Sequence, residues 1–160
     1  MWGRYRPLNG LWGPEELIVE GVSDTNFPSG GWLIARGGDF YCTYSLSGQS
    51  WYRVRPANGV WSGPVLFDSR GGGLRFAWSP VNSEWAATYA YDYDGNSGGR
   101  WFEVFARFSN DNGATWTTEY NVSDGTALDR NGEITYDAAG NFHVVLSCFS
   151  RNWRIGPFEL

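Results

Sequence analysis

Short stretches of alternating apolar and polar residues recur along the chain, and glycine-containing dipeptides separate them. Between residues 30 and 68 these stretches are residues 32–36, 40–45, 51–55 and 61–67. The separating dipeptides are Gly37-Gly38, Ser47-Gly48 and Asn58-Gly59. Dipeptides of this kind favour tight turns between antiparallel strands. The pattern therefore predicts four short β-strands joined by hairpin turns.

Residues 101–108 show the alternation most clearly. One side of the predicted strand carries Phe102, Val104, Ala106 and Phe108. The other side carries Trp101, Glu103, Phe105 and Arg107. Successive side chains of a strand point to opposite faces of its sheet, so both faces hold aromatic residues. We expect this sheet to be stacked between two neighbouring sheets.

The four-strand pattern is part of an internal repeat. Trp2, Trp51, Trp101 and Trp153 are spaced by 49, 50 and 52 residues. Residues 2–12 align with residues 51–61 without a gap, and a Gly-Pro dipeptide follows each segment. Four strands in a period of roughly 40–50 residues are typical of one blade of a β-propeller. The sequence therefore predicts an all-β chain built from repeated antiparallel sheets.

One motif connects the repeat to a known family. Residues 109–116 read Ser-Asn-Asp-Asn-Gly-Ala-Thr-Trp. This segment resembles the Asp box, Ser-x-Asp-x-Gly-x-x-Trp, of sialidase-like or BNR-repeat propellers, where the box forms the turn between the third and fourth strands of a blade. The resemblance gives structural roles to the four motif residues Ser109, Asp111, Gly113 and Trp116, and Thr115 of the same box is assigned with them. Degenerate copies keep only the turn and the tryptophan, at Asn9-Gly10 with Trp12 and at Asn58-Gly59 with Trp61.

The turn chemistry of this motif follows from its residue types. We expect the Asp111 carboxylate to accept backbone N–H groups within the turn. Gly113 supplies a backbone angle that other residues rarely adopt. Trp116 is expected to pack beneath the turn, so the motif is predicted to be structural.

The repeat divides the chain into a half-blade (residues 1–22), two blades (31–68 and 72–124) and a partial blade (130–160). This amounts to about three four-stranded blades, whereas propellers close with roughly four to eight. The chain begins in a third strand and ends after one. We therefore expect a homodimer in which two chains share mixed blades and close a six-bladed ring.

Composition and charge narrow the possible partners. Aromatic residues make up 18% of the chain and ten residues are tryptophan, so disorder is excluded. The formal net charge of −5 argues against a general binder of nucleic acid. No apolar run is long enough to span a membrane and no secretion signal is visible, so no membrane partner is predicted. The resemblance implies an extracellular or cell- or virion-surface protein, while the sequence itself leaves the compartment open.

Candidate site residues lie where predicted first strands begin. The densest polar group is Asp129, Arg130, Glu133 and Tyr136. Sialidases of the family that the chain resembles use an arginine cluster, a Tyr–Glu pair and an Asp in their active sites. The resemblance therefore makes these four residues candidates for catalysis. The alternative is a solvated loop that leads into a core strand. Equivalent connections supply the ligand-binding candidates Arg70, Arg75, Asp24 and Asn26, chosen by position alone.

A calcium loop is the one metal site that the sequence suggests. Asp92, Asp94 and Asn96 alternate, and Glu103 follows at the twelfth position of an EF-hand-type count. Ser97 stands where that loop requires glycine, and a long hairpin explains the segment equally well. We therefore predict no resident metal or cofactor, with calcium as the alternative.

Two single residues are assigned by alignment of the repeats. Cys42 aligns with Ala87 and Val144, which predicts a core position. His143 aligns with Tyr41 and Ala86, which predicts a packed strand residue rather than a base.

Three functions fit these observations. The first is a carbohydrate-binding, lectin-like propeller that stacks a glycan on tryptophan and tyrosine rings. The second is a scaffold that assembles without a ligand. The third is a sialidase-like glycoside hydrolase whose site is completed by a second chain. Binding or assembly without catalysis is the leading prediction.

Overall fold

A computed structural model describes residues 1–6, 8–21, 23, 26–57, 59–92, 102–123 and 128–149. These residues form twelve strands in four antiparallel sheets, and no helix occurs among them. The predicted all-β class is therefore confirmed. No helix in the described part of the chain is long and apolar enough to cross a membrane.

The first two sheets lie in the N-terminal half of the chain. The two-stranded sheet contains β1 (Trp2–Arg4) and β2 (Glu15–Leu17). The first four-stranded sheet contains β3 (Ser29–Arg36), β4 (Asp39–Leu46), β5 (Gln49–Arg55) and β6 (Val65–Asp68). Its strands pair in sequence order, as hairpin connections require.

The C-terminal half repeats this pattern. The second four-stranded sheet contains β7 (Gly71–Ser79), β8 (Glu84–Asp92), β9 (Phe102–Ser109) and β10 (Tyr120–Asn121). The last sheet contains β11 (Leu128–Tyr136) and β12 (Phe142–Phe149). In every hairpin the pairing is antiparallel.

The fourth strand of the first full sheet is shorter than predicted, because it begins at Val65 rather than at Trp61. Pro64 has no backbone N–H to contribute to a ladder. The connection is instead tied to β5 through Ser62, whose backbone N–H donates to the Val54 carbonyl at 2.8 Å. The Ser62 hydroxyl accepts the Val54 N–H at 3.0 Å.

Both faces of the second four-stranded sheet are buried, as the alternation predicted. Toward β3–β6 it presents Trp85, Tyr89 and Phe105, which pack against Tyr41, Tyr52 and other side chains of that sheet. Toward β11–β12 it presents Ala77 and Ala86, which pack with Ile134. We call the face of each sheet that looks to the next sheet in sequence its front, and the opposite face its back.

Sheet β3–β6 contacts sheet β7–β10 in the same way as sheet β7–β10 contacts sheet β11–β12. Strand β7 packs across β3, β4 and β5, and β11 packs across β7, β8 and β9. Equivalent threonines bridge each contact from the front face. The Thr43 hydroxyl donates to the Leu74 carbonyl at 2.6 Å, and the Thr88 hydroxyl donates to the Gly132 carbonyl at 3.1 Å.

The first strand of each of these three sheets has a β-bulge at an equivalent position. The pairing shifts between residues 29 and 32, between 72 and 75, and between 130 and 133. Gly30 and Gly73 lie within the bulges with φ of 65° and 72°, in the left-handed region that favours glycine. Trp32, Arg75 and Glu133 immediately follow the bulges and therefore occupy equivalent positions.

Alignment of the repeats predicted the burial of Cys42 correctly and that of His143 incorrectly. Cys42 is buried and is a free cysteine, which confirms its predicted core position. The prediction for His143 was wrong, because 56% of its side chain is exposed. Its ring contacts the Asp137 carboxylate at 3.1 Å on the front face of the last sheet. No described part of the chain covers that face.

Candidate functional site

A groove runs across the first strands of three consecutive sheets. Strands β3, β7 and β11 each lie at the edge of their sheet. Side chains from all three strands border the same concave surface. The groove is open to solvent and has a volume of about 200 Å³. Its lining residues are Trp32, Leu33, Ile34, Phe76, Ala77, Trp78, Ile134, Thr135 and Tyr136. We call this surface the inner groove.

The residues that follow the three bulges form a row, and one of them, Trp32, lines the inner groove. Arg75 lies between the other two members, with its Nε 3.4 Å from the Glu133 carboxylate. The Arg75 guanidinium carbon lies 5.3 Å from the centroid of the Trp32 ring. Arg75 also donates to the Gly30 carbonyl at 3.3 Å. The row therefore joins a flat ring, a cation and a carboxylate from three different sheets.

Burial within this row differs from one member to the next. The Arg75 side chain is 12% exposed, whereas the Glu133 side chain is 50% exposed. The indole N–H of Trp32 is fixed by donation to the Phe76 carbonyl at 3.2 Å. Arg75 is thus held in place, while half of the Glu133 side chain remains exposed.

One end of the inner groove is aromatic. The Tyr136 hydroxyl donates to the Glu84 carboxylate at 2.6 Å. Burial and this hydrogen bond raise the pKa of Tyr136 well above its ordinary value. The guanidinium of Arg36 stacks on Trp78, 3.6 Å from the ring centroid. Tyr136 therefore stays protonated and acts as a hydrogen-bond donor.

Tyr136 lines the inner groove, whereas Arg75 and Glu133 lie in the row beside it, and the structure does not pair the tyrosine with Glu133. Residues 133 and 136 project from opposite faces of β11, because their separation is odd. Each has a different partner, Arg75 for Glu133 and Glu84 for Tyr136. The side chains of Asp129 and Arg130, which lie in β11, are outside the described residues.

Arg70 lies in a different place, within a network that we call the ionic cluster: Asp68, Arg70, Tyr89, Tyr91, Arg107 and Glu119. Arg70 Nη2 lies 2.8 Å from Asp68 and 2.7 Å from Glu119. Arg107 Nη2 lies 3.4 Å from Asp68 and 3.2 Å from Glu119. The cluster ties β6 and the segment after it to the next sheet.

The electrostatics of the ionic cluster favour its charged form. Hydrogen bonds led by Arg70 lower the pKa of Glu119 to about 2. Burial and a hydrogen bond to Glu119 raise the pKa of Tyr91 to about 12. Tyr89 donates to the same carboxylate at 2.8 Å, and its pKa is also raised by burial. The arginines and tyrosines thus share two carboxylates, an arrangement suited to holding sheets together.

The predicted turn at residues 109–116 lies between β9 and β10, away from the inner groove. Asp111 Oδ1 accepts the Thr115 N–H and the Ser109 hydroxyl, each at 2.8 Å. These bonds, with that of the Thr115 hydroxyl, lower the pKa of Asp111 to about 2. Gly113 has φ of 83°. Trp116 stacks on Phe76 with ring centroids 5.7 Å apart, which places the motif in a structural role.

The remaining candidates do not join the inner groove. Asn26 exchanges hydrogen bonds with Ser47, at 2.6 Å through its amide nitrogen and 3.2 Å through its oxygen. Asp24 lies outside the described residues, as do Asp94 and Asn96 of the calcium candidate. Glu103, the last member of that pattern, accepts hydrogen bonds from Ser123 and Asn121. Among the described residues, no group of acidic, histidine or cysteine side chains could hold a metal ion.

Sequence reasoning missed the ionic cluster and the aromatic end of the inner groove. Arg70 and Glu119 are 49 residues apart and share no motif. The spacing of the first strands could have indicated Trp32, because it aligns with Arg75 and Glu133 once the bulges are known.

Comparison with known proteins adds no assignment. No known family model matches the chain, and no curated protein matches its sequence.

Proposed function

We propose that this chain is a non-catalytic, sialidase-like propeller module that binds carbohydrate in the inner groove. The observation that carries the proposal is the row formed by Trp32, Arg75 and Glu133, with Tyr136 further along the same groove. In this arrangement the four sheets are consecutive blades or half-blades, and their first strands surround a central ligand site.

The repeated geometry supports the propeller arrangement. Each first strand carries a bulge at the same position, and β7 and β11 each pack across three strands of the preceding sheet. A propeller places the first strand of every blade next to its central channel, where ligands commonly enter. The inner groove is formed by those strands.

The side chains of the inner groove suit a sugar. Aromatic rings offer flat apolar faces to the C–H surface of a pyranose, while charged and amide groups fix its hydroxyls. Trp32 supplies such a ring on one side of Arg75, and the half-exposed Glu133 carboxylate, which can accept hydroxyl hydrogen bonds, contacts the same arginine. Arg75 is paired with Glu133, so the row is close to neutral. This pairing favours an uncharged, hydroxyl-rich glycan over a strongly anionic one.

The hydrogen bonds of the candidate catalytic residues disfavour catalysis, and for this reason the proposed function is non-catalytic. Glycoside hydrolysis ordinarily requires two carboxyl groups, or a nucleophile and an acid, on either side of one bond. Tyr136 is bonded to Glu84 and has a raised pKa, which disfavours the phenolate that a nucleophile needs. Glu133 is bonded to Arg75 on the opposite face of β11.

The test is glycan binding by the purified chain, on an array and then by titration calorimetry. We expect Trp32→Ala to lower the affinity for the best array ligand by about tenfold, equivalent to about 1.4 kcal/mol. Trp12 is 61% exposed and lies outside the inner groove, so Trp12→Ala is the matched control and should bind like the wild type. Circular dichroism checks that both variants fold.

Three results would contradict the proposal. The wild type binds no glycan on the array, or Trp32→Ala and Trp12→Ala bind equally well. Turnover of a fluorogenic sialoside or other glycoside would contradict its non-catalytic part.

A further inference from the structure

The back of the first four-stranded sheet is only partly covered. Leu33, Phe76 and Ile134 occupy equivalent positions, one residue after the row that follows the bulges. Phe76 is 3% exposed and Ile134 is 7% exposed, because the preceding sheet covers each of them. Leu33 is 57% exposed. Leu33 therefore lacks the full cover by a preceding sheet that Phe76 and Ile134 have.

The front of the last sheet shows the complementary gap. Thr43, Thr88 and Val145 are equivalent, since each pairs with the residue that follows its bulge. Both threonines are fully buried against the next sheet, at 0% exposure, whereas Val145 is 71% exposed. His143 on the same face is also exposed, although its counterpart Ala86 is completely buried.

Sheet β1–β2 covers only one half of the back of β3–β6. Ile18 and Val19 pack there against Cys42 and Tyr44. Beside them lies an open cavity of about 80 Å³, bordered by Leu33. Its remaining walls are Gly3, Arg4, Tyr5, Glu16, Ile18, Phe40, Arg55 and Trp61. In the two other places, the corresponding space is filled by the first and second strands of the preceding sheet.

We infer that a second copy of this chain fills the gap, with the front of its β11–β12 seated on the back of β3–β6 beside β1. The chain makes this front-to-back contact twice within itself, from β3–β6 to β7–β10 and from β7–β10 to β11–β12. Leu33 and Val145 are the two halves of a third such contact. The inference rests on the propeller arrangement of the proposed function but not on sugar binding.

The internal register specifies how the two copies meet. Strand β1 is equivalent to β5, and β12 is equivalent to β4. In the β4–β5 pair Tyr41 lies opposite Val54. The same register places Tyr5 opposite His143 of the second copy, and both side chains are exposed in the single chain. The mixed sheet then has the strand order β11, β12, β1, β2, as in the two complete sheets. In it, β1 takes the third-strand place that the sequence repeat alone would give to the segment around Trp153 of the second copy.

Two such contacts close the assembly. The described residues leave one back partly uncovered and one front uncovered in each chain, and a head-to-tail contact ends when the rotation returns to its start. Two chains give a closed ring of six sheets with two inner grooves. The inference therefore predicts a dimer that presents two copies of the proposed site.

The first test is the mass in solution, measured by light scattering across a range of protein concentrations. We expect the wild type at twice the chain mass of 17.9 kDa. Val145→Arg places a charge in the centre of the contact and should halve that mass. Val145→Thr installs the residue found at both equivalent positions and should keep the dimer. The matched control is Val81→Arg, at an exposed valine outside the contact, which should also remain dimeric.

The second test is a crosslink that depends on the register, in a Cys148→Ser background. Chains with Tyr5→Cys are mixed with chains carrying His143→Cys, and oxidation should give a covalent dimer only in the mixture. Ser147→Cys in place of His143→Cys is four residues along the same strand and should give none, because a disulfide requires Cα atoms within about 7 Å.

These results distinguish the inference from the proposed function. A monomeric wild type, a Val145→Arg variant that stays dimeric, or equal crosslinking at residues 143 and 147 would overturn the inference. A monomer that still binds glycan through Trp32 would leave the proposed function intact. A crosslinked dimer that binds no glycan would support the inference and contradict the proposed function.

Discussion

Glu119 shows how much one side chain contributes between the sheets. Its carboxylate accepts hydrogen bonds from Arg70, Arg107, Tyr89 and Tyr91, at distances of 2.7–3.2 Å. Hydrogen bonds of this charge-assisted kind are shorter and stronger than neutral ones. The carboxylate, just before β10, thereby joins β8 and β9 to the segment that follows β6.

Glu119→Gln should therefore destabilise the protein in a pH-dependent way. At pH 7 we expect a loss of about 2 kcal/mol in the free energy of unfolding, because the amide cannot replace the charge that both arginines meet. The folded-state pKa of Glu119 is lowered to about 2, so its stabilising effect is full above the ordinary pKa of 4.5. It is lost as the pH falls toward 2.

Urea unfolding at pH 7 and at pH 3 measures this effect. The difference between the wild type and Glu119→Gln should be smaller at the lower pH. Glu20→Gln, at an exposed glutamate, is the control and should change little at either pH. A difference for Glu119→Gln that does not depend on pH would contradict the assignment.

At the scale of elements, the three first-strand bulges are the feature that the sheets share. A bulge increases local twist and redirects the side chain that follows it. Here it places Trp32, Arg75 and Glu133 in one row across three strands. The bulges thus build the candidate site from backbone geometry that recurs with the repeat.

Gly30→Ala tests the backbone requirement of the bulge. Gly30 has φ of 65°, and no atom lies within 4 Å of a Cβ added there, so strain in the left-handed region is the only cost. We expect a loss of about 1–2 kcal/mol in the free energy of unfolding. Gly30→Asn should cost less, because asparagine tolerates this region.

Gly63→Ala is the matched control for Gly30→Ala. An added Cβ meets nothing within 4 Å there either, and the φ of Gly63 is not in the left-handed region. Denaturant unfolding of both variants provides the measurement. Equal stability of Gly30→Ala and Gly63→Ala would show that the bulge does not need glycine.

At the scale of the whole molecule, four sheets are stacked in sequence order. Their contacts combine aromatic packing with single polar bridges. The Thr43 hydroxyl crosses from one full sheet to the next and meets the Leu74 carbonyl at 2.6 Å. Both groups lie in the interior, where an unpaired carbonyl is costly.

Thr43→Val should destabilise the stack by about 1–3 kcal/mol, because valine keeps the shape but leaves the Leu74 carbonyl without its partner. Thr135→Val, at an exposed threonine, is the control and should be near neutral. Thermal unfolding followed by circular dichroism measures both. A neutral Thr43→Val would mean that the bridge contributes nothing between the sheets.

Local features were predicted well from the sequence. The first three strands of residues 31–68 and the turn at residues 109–116 depend on residues close together in the chain. The prediction for His143 failed because alignment assumes the same neighbours at every copy. The last sheet has no described sheet in front of it, so the equivalent position is exposed.

The sequence by itself determined the all-β class, the four-strand repeat and the Asp111 turn, because side-chain alternation and turn chemistry act over a few residues. Only the tertiary structure placed Trp32 beside Arg75 and Glu133, and Arg70 beside Glu119. The first three side chains come from separate sheets, and Arg70 and Glu119 lie in connections that are far apart along the chain. Their distances follow from how the sheets stack and where the bulges fall, and no spacing along the chain encodes either.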